Sequence, residues 1–462
     1  MNEFIQQRHA ALANALEKNF KHIMATQNLD FTIMEQEFAK QGYRDNQSSG
    51  VENILIFRLD YMGDFILSTP AIREIRANYP NAFITLLVNK AVYAMAELCP
   101  YVNEVIPIEI NYTELILNHD VKGMLMTAAN VASQYLWKRN YTLCICLRWQ
   151  NSFMDLFFNY LSGAKQRIGY IMSTTFAYTG NPVEKANDIA YYFLTLPIIH
   201  PKEVMHNCAK NLYILKAMGL QVKQTNTELW YDAEDLYTAR KLLEDFAPGR
   251  LKIVTGIGAN HPARKYPIKK YLAAFKSILH RGGAVVIVGG PDEIDDAKFL
   301  EDNLPKEFVK NFVPVKTGWR VDAAITSLCD MYIGNDSGMI HIAASTNIPT
   351  VKINREAEDK FEDYNFRGIF SEYTHFFPWQ NNSINIRPKH ALGDCQKKYA
   401  AGGCAEWKPH CITQIEPREI VDAYETFANL IRNPKIQKTS CPPIISGINQ
   451  VPKLYSDLVN LR

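Results

Sequence analysis

One pattern recurs along the chain from residue 53 to residue 344. A short apolar run is followed by a polar loop and then by a stretch with apolar residues at helical spacing. The apolar runs read as buried strands and the spaced stretches as helices. Strands joined through helices lie parallel in one sheet, with helices on both faces. The first unit is Asn53-Ile54-Leu55-Ile56-Phe57, the loop Arg58-Leu59-Asp60-Tyr61-Met62-Gly63-Asp64, and a helix whose first turn holds Pro70. Strands are expected at Phe83–Val88, Glu104–Ile108 and Thr142–Leu147. Helices are expected at Thr113–Trp137, at Met154–Leu161 closed by Ser162-Gly163, and at Glu203–Met218 ended by Gly219. After the polar stretch Gln221–Glu228 a second set begins. It comprises helix Ala233–Phe246, strand Leu251–Val254, a helix ending at His280, strand Ala284–Val288, helix Asp322–Leu328 and strand Met331–Ile333. That strand runs into Gly334-Asn335-Asp336-Ser337-Gly338 and a helix carrying Ile340, Ile342, Ala343 and Ala344.

At 462 residues the chain is too long for one core, so two domains are expected. We divide it into an N-terminal helical appendage and linker (1–50), a first Rossmann-like domain (51–225), a second Rossmann-like domain (226–436) and a tail (437–462). The appendage would pack on the main body or on another subunit. A membrane-surface helix is the other reading, although its polar face mixes acids with bases. An apolar fraction of 47% is that of a soluble globular chain, and a net charge of +2 gives no reason to expect nucleic acid. There is no apolar run of membrane-spanning length, and Met1–His9 lacks the core of a signal peptide, so a cytoplasmic location is expected. Nine cysteines, an odd number and mostly scattered singly, suit a reducing compartment.

The loops after strands share one sheet edge, where α/β proteins bind ligands. Asn335, Asp336 and Ser337 favour a helix N-cap, and Gly338 lets a ligand approach the backbone. The first N–H groups of that helix would suit a diphosphate. Two other readings stand beside this one. Gly256-Ile257-Gly258 carries two glycines of a dinucleotide fingerprint but not the third, which weakens a nicotinamide-dependent oxidoreductase. A degenerate, non-catalytic scaffold that binds such a diphosphate ligand is the non-enzyme alternative.

Four ordered motifs carry a resemblance. Ile56-Phe57-Arg58-x-Asp60-x-Met62-Gly63-Asp64-x-x-Leu67-x-Thr69-Pro70-Ala71 resembles the N-terminal signature of glycosyltransferase family 9, the lipopolysaccharide heptosyltransferases. Gly258-Ala259 with Lys265 and Pro267 is similar to its second loop, and Val288-Gly289-Gly290-Pro291-Asp292-Glu293 to the next. Asn335-Asp336-Ser337-Gly338-x-x-His341-x-Ala343-Ala344 is the most specific. The resemblance spans about residues 51–430. It implies a GT-B fold, two Rossmann-like domains facing across a cleft, and inverting transfer of a sugar, usually heptose from ADP-heptose. The acceptor would be a cell-surface glycan such as lipopolysaccharide core, lipid-linked at the inner membrane surface. A protein acceptor of autotransporter type or another nucleotide sugar is the alternative. Asp64 matches the family's catalytic base, and Lys265 would meet a phosphate oxygen. Gly258, Glu293, Asp336, Ser337, Gly338 and His341 fall on the donor side, Arg58 and Asp60 on the acceptor side. No cofactor is expected. No Asp-x-Asp stands in these loops, so the helix terminus and Lys265 would replace a divalent ion.

Cys395, Cys404 and Cys411 are spaced unlike the paired cysteines of a structural zinc site. Some relatives that glycosylate autotransporters hold iron through cysteines in this region, so a structural metal here stands beside plain buried thiols.

Overall fold

The first sheet begins with β1 (Asn53–Arg58), whose residues from Ile54 onward are all buried. The computed structural model describes residues 53–110, 121–149, 153–171, 193–199, 206–360, 375–392, 406 and 408–433. The appendage, the tail and residues 113–120 of the long helix expected above lie outside them. After β1 come α1 (Met62–Ile66), α2 (Thr69–Asn78), β2 (Phe83–Asn89), β3 (Glu104–Ile108) and α3 (Val121–Val131). β4 (Leu143–Cys146), α4 (Phe153–Leu161), β5 (Gln166–Ile171), β6 (Leu196–Ile199) and α5 (Asn207–Ala217) follow. The strands are all parallel in the order β3-β2-β1-β4-β5-β6, with Ile56 opposite Leu86 on one side and Ile145 on the other. A strand covered on both faces is apolar throughout rather than alternating, which is why β1 and β4 stand out in the sequence. Phe57, Phe157, Phe158 and Phe193 fill the core between sheet and helices, each 2% exposed or less.

The second sheet repeats the plan. α6 (Ala233–Leu242) precedes β7 (Leu251–Gly256), α7 (Ile268–His280), β8 (Gly283–Val288), α8 (Ile294–Asn303) and β9 (Val309–Asn311). α9 (Trp319–Ser327), β10 (Met331–Asn335), α10 (Gly338–Ser345), β11 (Thr350–Ile353), β12 (Ser383–Ile386) and α11 (Pro417–Arg432) complete it. The order is β12-β11-β10-β7-β8-β9, again all parallel. Both sheets thus have the Rossmann order 3-2-1-4-5-6. Met331, Tyr332 and Ile333 of β10 are wholly buried, and each such side chain contributes roughly 1.5–3 kcal/mol of burial.

Two compact units result. The first takes the chain up to Tyr61, Pro70–Val204 and Lys210–Thr225; the second takes Met62–Thr69, Met205–Ala209 and everything from Asn226. The short segment carrying Asp64 therefore groups with the second sheet, although it follows the first strand of the first. Among the described residues no helix is long and apolar enough to cross a membrane.

Several boundaries differ from the sequence reading. The helix expected to run to Trp137 is regular only to Val131. It widens over Ala132–Leu136, tightens over Trp137–Arg139 and stops at Asn140, which is left-handed with φ 50°. Tertiary bonds impose this end: Trp137 Nε1 donates to Leu161 O at 2.8 Å, and Arg139 pairs with Glu104 of β3. α6 ends at Leu242 rather than Phe246, because Lys310 Nζ takes the Leu242 carbonyl at 2.5 Å. Gly219 does stop α5. At φ 78° it permits the paired closing bonds Gly219 N to Lys216 O and Leu220 N to Leu215 O, both 2.9 Å. The sequence reading left β5, β6, α8, β9, β11 and β12 unassigned.

Candidate active site

In a sheet of this order the connections leave to opposite faces on either side of the first strand, and a crevice opens at the strands' carboxyl ends. In the second unit the strands flanking that point are β7 and β10. Asn335, the last residue of β10, joins their loops and is fully buried. Its Oδ1 accepts from Tyr266 N at 3.1 Å and from Tyr271 Oη at 2.9 Å. Its Nδ2 donates to Ile257 O at 2.6 Å. Lys265, which precedes Tyr266, is thereby tied to the stretch that opens α10. Gly334 is small because a Cβ there would stand 2.3 Å from the Tyr332 hydroxyl.

Ser337 precedes α10 in extended conformation, with φ −145°, and its side chain makes no capping bond. The first N–H groups of α10 have no carbonyl within the helix to meet and carry partial positive charge. Asp336, expected on the donor side, is buried and pairs through Oδ1 with Lys352 Nζ at 2.9 Å. Lys352, wholly buried, also donates to Phe376 O at 2.8 Å. Asp336 therefore balances a buried cation.

Lys265 is partly exposed and stands 3.8 Å from Glu293 Oε1. Glu293 accepts from Gly290 N at 2.7 Å. Burial pushes its carboxyl up, while the Gly290 bond and the Lys265 charge pull it down. Its side chain lies across Gly258, where a Cβ would come within 2.1 Å of Oε1. Gly258, Lys265 and Glu293 thus form one polar cluster with the Glu293 carboxylate at its centre.

α1 packs against the start of α10. A Cβ on Gly63 would lie 2.9 Å from His341 Cδ2 and 3.7 Å from Gly338 Cα. One on Gly338 would lie 2.5 Å from Met62 Cε. Two glycines, one on each helix, make this approach possible. His341 packs beneath α1, its Nδ1 buried without a hydrogen-bond partner among the described residues. Burial, then the Lys352 charge, then His206 hold it well below its ordinary pKa, so at neutral pH it is an uncharged packing group. Asp64 follows Gly63. Its Oδ1 accepts from Asn207 Nδ2 at 2.8 Å.

Arg58 and Asp60 belong to the first unit, at the carboxyl end of β1. Arg58 Nε pairs with Asp60 Oδ1 at 2.6 Å, Arg148 Nε with Asp60 Oδ2 at 3.2 Å, and Arg148 Nη1 with Asp155 Oδ2 at 2.9 Å. Arg58 Nη1 also donates to Asn211 Oδ1 at 3.3 Å. Lys210 is wholly buried with its ammonium 3.5 Å from the centre of the Trp149 ring, and burial holds its pKa well below the usual value. Arg148, Asp155, Asn207, Lys210 and Asn211 escaped the sequence reading. Arg148 alone carried a signal: it follows the buried run of β4 as Arg58 ends that of β1.

Cys395 and Cys404 lie outside the described residues. Cys411 is buried, its Sγ 3.4 Å from Leu392 N and 3.5 Å from His410 Nδ1.

Residues 133–398 match the model of glycosyltransferase family 9 (heptosyltransferase). The chain is 22% identical over 305 residues to lipopolysaccharide heptosyltransferase 2 of Escherichia coli (strain K12), covering 65% of this chain and 82% of that protein. Among solved structures it is similar to E. coli ADP-heptose LPS heptosyltransferase II. There the TM-score is 0.59 and the identity 17%, over 82% of this chain and 99% of that one. It is also similar to an E. coli heptosyltransferase with ADP, with a TM-score of 0.52 and 15% identity, over 83% and 98% of the two chains. The likeness gives the fold as GT-B, with two Rossmann-like domains. The family match covers more than half the chain, which is therefore a glycosyltransferase and belongs to glycosyltransferase family 9.

Proposed function

We propose that the protein transfers heptose from ADP-heptose, with inversion, to a lipopolysaccharide-core acceptor at the cytoplasmic surface of the inner membrane. The packing of α1 on α10 carries this reading: the turn bearing Asp64 and a helix terminus suited to a phosphate touch within one unit. The relatives named above support the donor and acceptor class, since their names specify ADP-heptose and lipopolysaccharide.

In this reading an acceptor hydroxyl attacks the anomeric carbon and Asp64 takes its proton. The bond from that carbon to the diphosphate oxygen breaks, and the electron pair leaves with the phosphate. The N–H groups of α10 and Lys265 meet the charge as it grows. Gly258 and Glu293 lie at the nucleotide end of the cluster, and no divalent ion is needed. Arg58, Asp60 and Arg148 sit on the acceptor side.

The test is ADP release and product mass with ADP-heptose, other nucleotide sugars and candidate core acceptors, in EDTA. Asp64→Asn should keep donor affinity and lose about 100-fold or more in kcat, the scale of general-base catalysis. Near-native turnover by Asp64→Asn would remove it from the role. Restoration by magnesium after EDTA would reassign the leaving-group chemistry.

A further inference from the structure

The carboxylate that the proposed reaction uses is held by a residue that no motif contains. Asn207 is 0% exposed and 143 residues from Asp64 in sequence, and its Nδ2 donates to Asp64 Oδ1 at 2.8 Å. Its own Oδ1 is buried without a hydrogen-bond partner among the described residues. A buried orphan acceptor is unfavourable and rarely kept by a residue that only fills space. A leucine would fill this place without the orphan oxygen.

The segment around Asn207 is anchored independently. His206 Nε2 lies 2.9 Å from Phe377 O, and its Nδ1 accepts from Cys208 N at 3.1 Å. These two bonds fit the tautomer with the proton on Nε2. The His206 ring stacks on Trp379, with centroids 4.5 Å apart at 29°, and meets Phe377 edge-on at 4.4 Å. Met205–Ala209 groups with the second unit, as Met62–Thr69 does, while α5 from Lys210 onward groups with the first. Two segments far apart in sequence are thus carried into the second unit, and Asp64 and Asn207 meet there.

We propose that Asn207 is the positioning residue of Asp64. It fixes one carboxylate oxygen, so that the other is presented in a single orientation. It also favours the ionised form by donating to it through a neutral amide. Among the described residues, the titratable or charged groups near this packing include His341 from α10, His206 beside Asn207, and the Lys352–Asp336 pair that lies toward His341. This inference rests on Asp64 being the base.

The experiment compares native enzyme, Asn207→Ala, Asn207→Asp and Asp64→Asn in kcat, donor KM and the pH profile of kcat. Asn207→Asp is isosteric and keeps the packing if the alanine variant fails to fold. Loss of the donor should lower kcat about 10-fold or more while donor KM stays within about 2-fold, because a misplaced base costs turnover rather than donor binding. The acid limb of kcat should move to higher pH in Asn207→Ala. It should move further in Asn207→Asp, where a like charge replaces the donor. Unchanged kcat and acid limb in both variants would overturn the assignment. So would a rise in KM with kcat and limb unmoved, which marks Asn207 as a packing group of α5. Asp64→Asn separates the two failures: if it abolishes turnover while the Asn207 variants behave as native, the base stands and the positioning role falls.

Discussion

Gly63→Ala tests whether the contact between α1 and α10 sets the chemistry. The new Cβ would stand 2.9 Å from His341 Cδ2, whereas carbon atoms pack at about 3.5–4.0 Å. Something must yield by roughly 0.6 Å or more. α10 is poorly placed to do so, since Ile340 and Ile342 on either side of His341 are wholly buried. α1 is a five-residue helix and should move instead, taking Asp64 with it. If a misplacement of about 1 Å costs about 100-fold, this one should lower kcat by about 10-fold. Folding should survive. Overpacking costs about 1–3 kcal/mol, and alanine in place of glycine in a helix returns about 1 kcal/mol of it. Donor affinity, measured by calorimetry, should stay within about 2-fold. His341→Ala in the same chain removes the obstructing ring and should recover part of the lost kcat, a coupling that the single variants cannot show. A Gly63→Ala enzyme with native kcat would refute the reasoning, because Asp64 would then not depend on this packing.

Two further outcomes follow from single side chains. If Lys265 meets the leaving phosphate as proposed, Lys265→Ala should lower kcat as well as donor affinity in steady-state and binding assays, because that charge grows in the transition state; loss of affinity alone would make it a ground-state contact. Asp322 is buried on α9, and burial pushes its carboxyl up to about 6 while the Thr317 hydroxyl bond pulls it down. A folded pKa above the unfolded 3.8 means stability that is complete below about pH 4 and is lost as pH rises through 6. Asp322→Asn should therefore be more stable than the native chain at pH 8, by up to about 3 kcal/mol, and equal to it near pH 4; a gap independent of pH would contradict this.

The legible parts of the fold were those whose environment leaves a one-dimensional trace. β1, β4, β8 and β10 each hold an unbroken run of buried apolar residues and β7 holds Ile253-Val254, and each is followed by a polar loop. β9 has three residues and β6, β11 and β12 four each, and unlike the equally short β4 their runs are interrupted by Lys310, Pro197, Lys352 and Asn385. The ends of α3 and α6 were misjudged for another reason. Both are set by side chains from distant strands, Glu104 on β3 and Lys310 on β9, which pair with Arg139 and the Leu242 carbonyl. Local propensity carries no information about either contact.

The same division runs through the candidate site. Gly258, Lys265, Glu293, Ser337 and Gly338 were legible because a helix terminus and its flanking loops are local in sequence. Asp336 was ambiguous for the same local reason: its position allowed a cap or a ligand contact, and only the fold supplies the buried Lys352 that it balances. Asn207 and Asp64 meet only because two segments leave the sheet that precedes them and join the second unit. In the proposed reaction this has a consequence for how such enzymes can vary. The base, its positioning amide and the diphosphate helix share one packed unit, so donor chemistry is fixed by contacts internal to it. Arg58, Asp60 and Arg148 form a separate ion-pair chain in the first unit. Substitutions among them should act on the acceptor side, whereas a side chain added at Gly63 or Gly338 should disturb the packing beside Asp64.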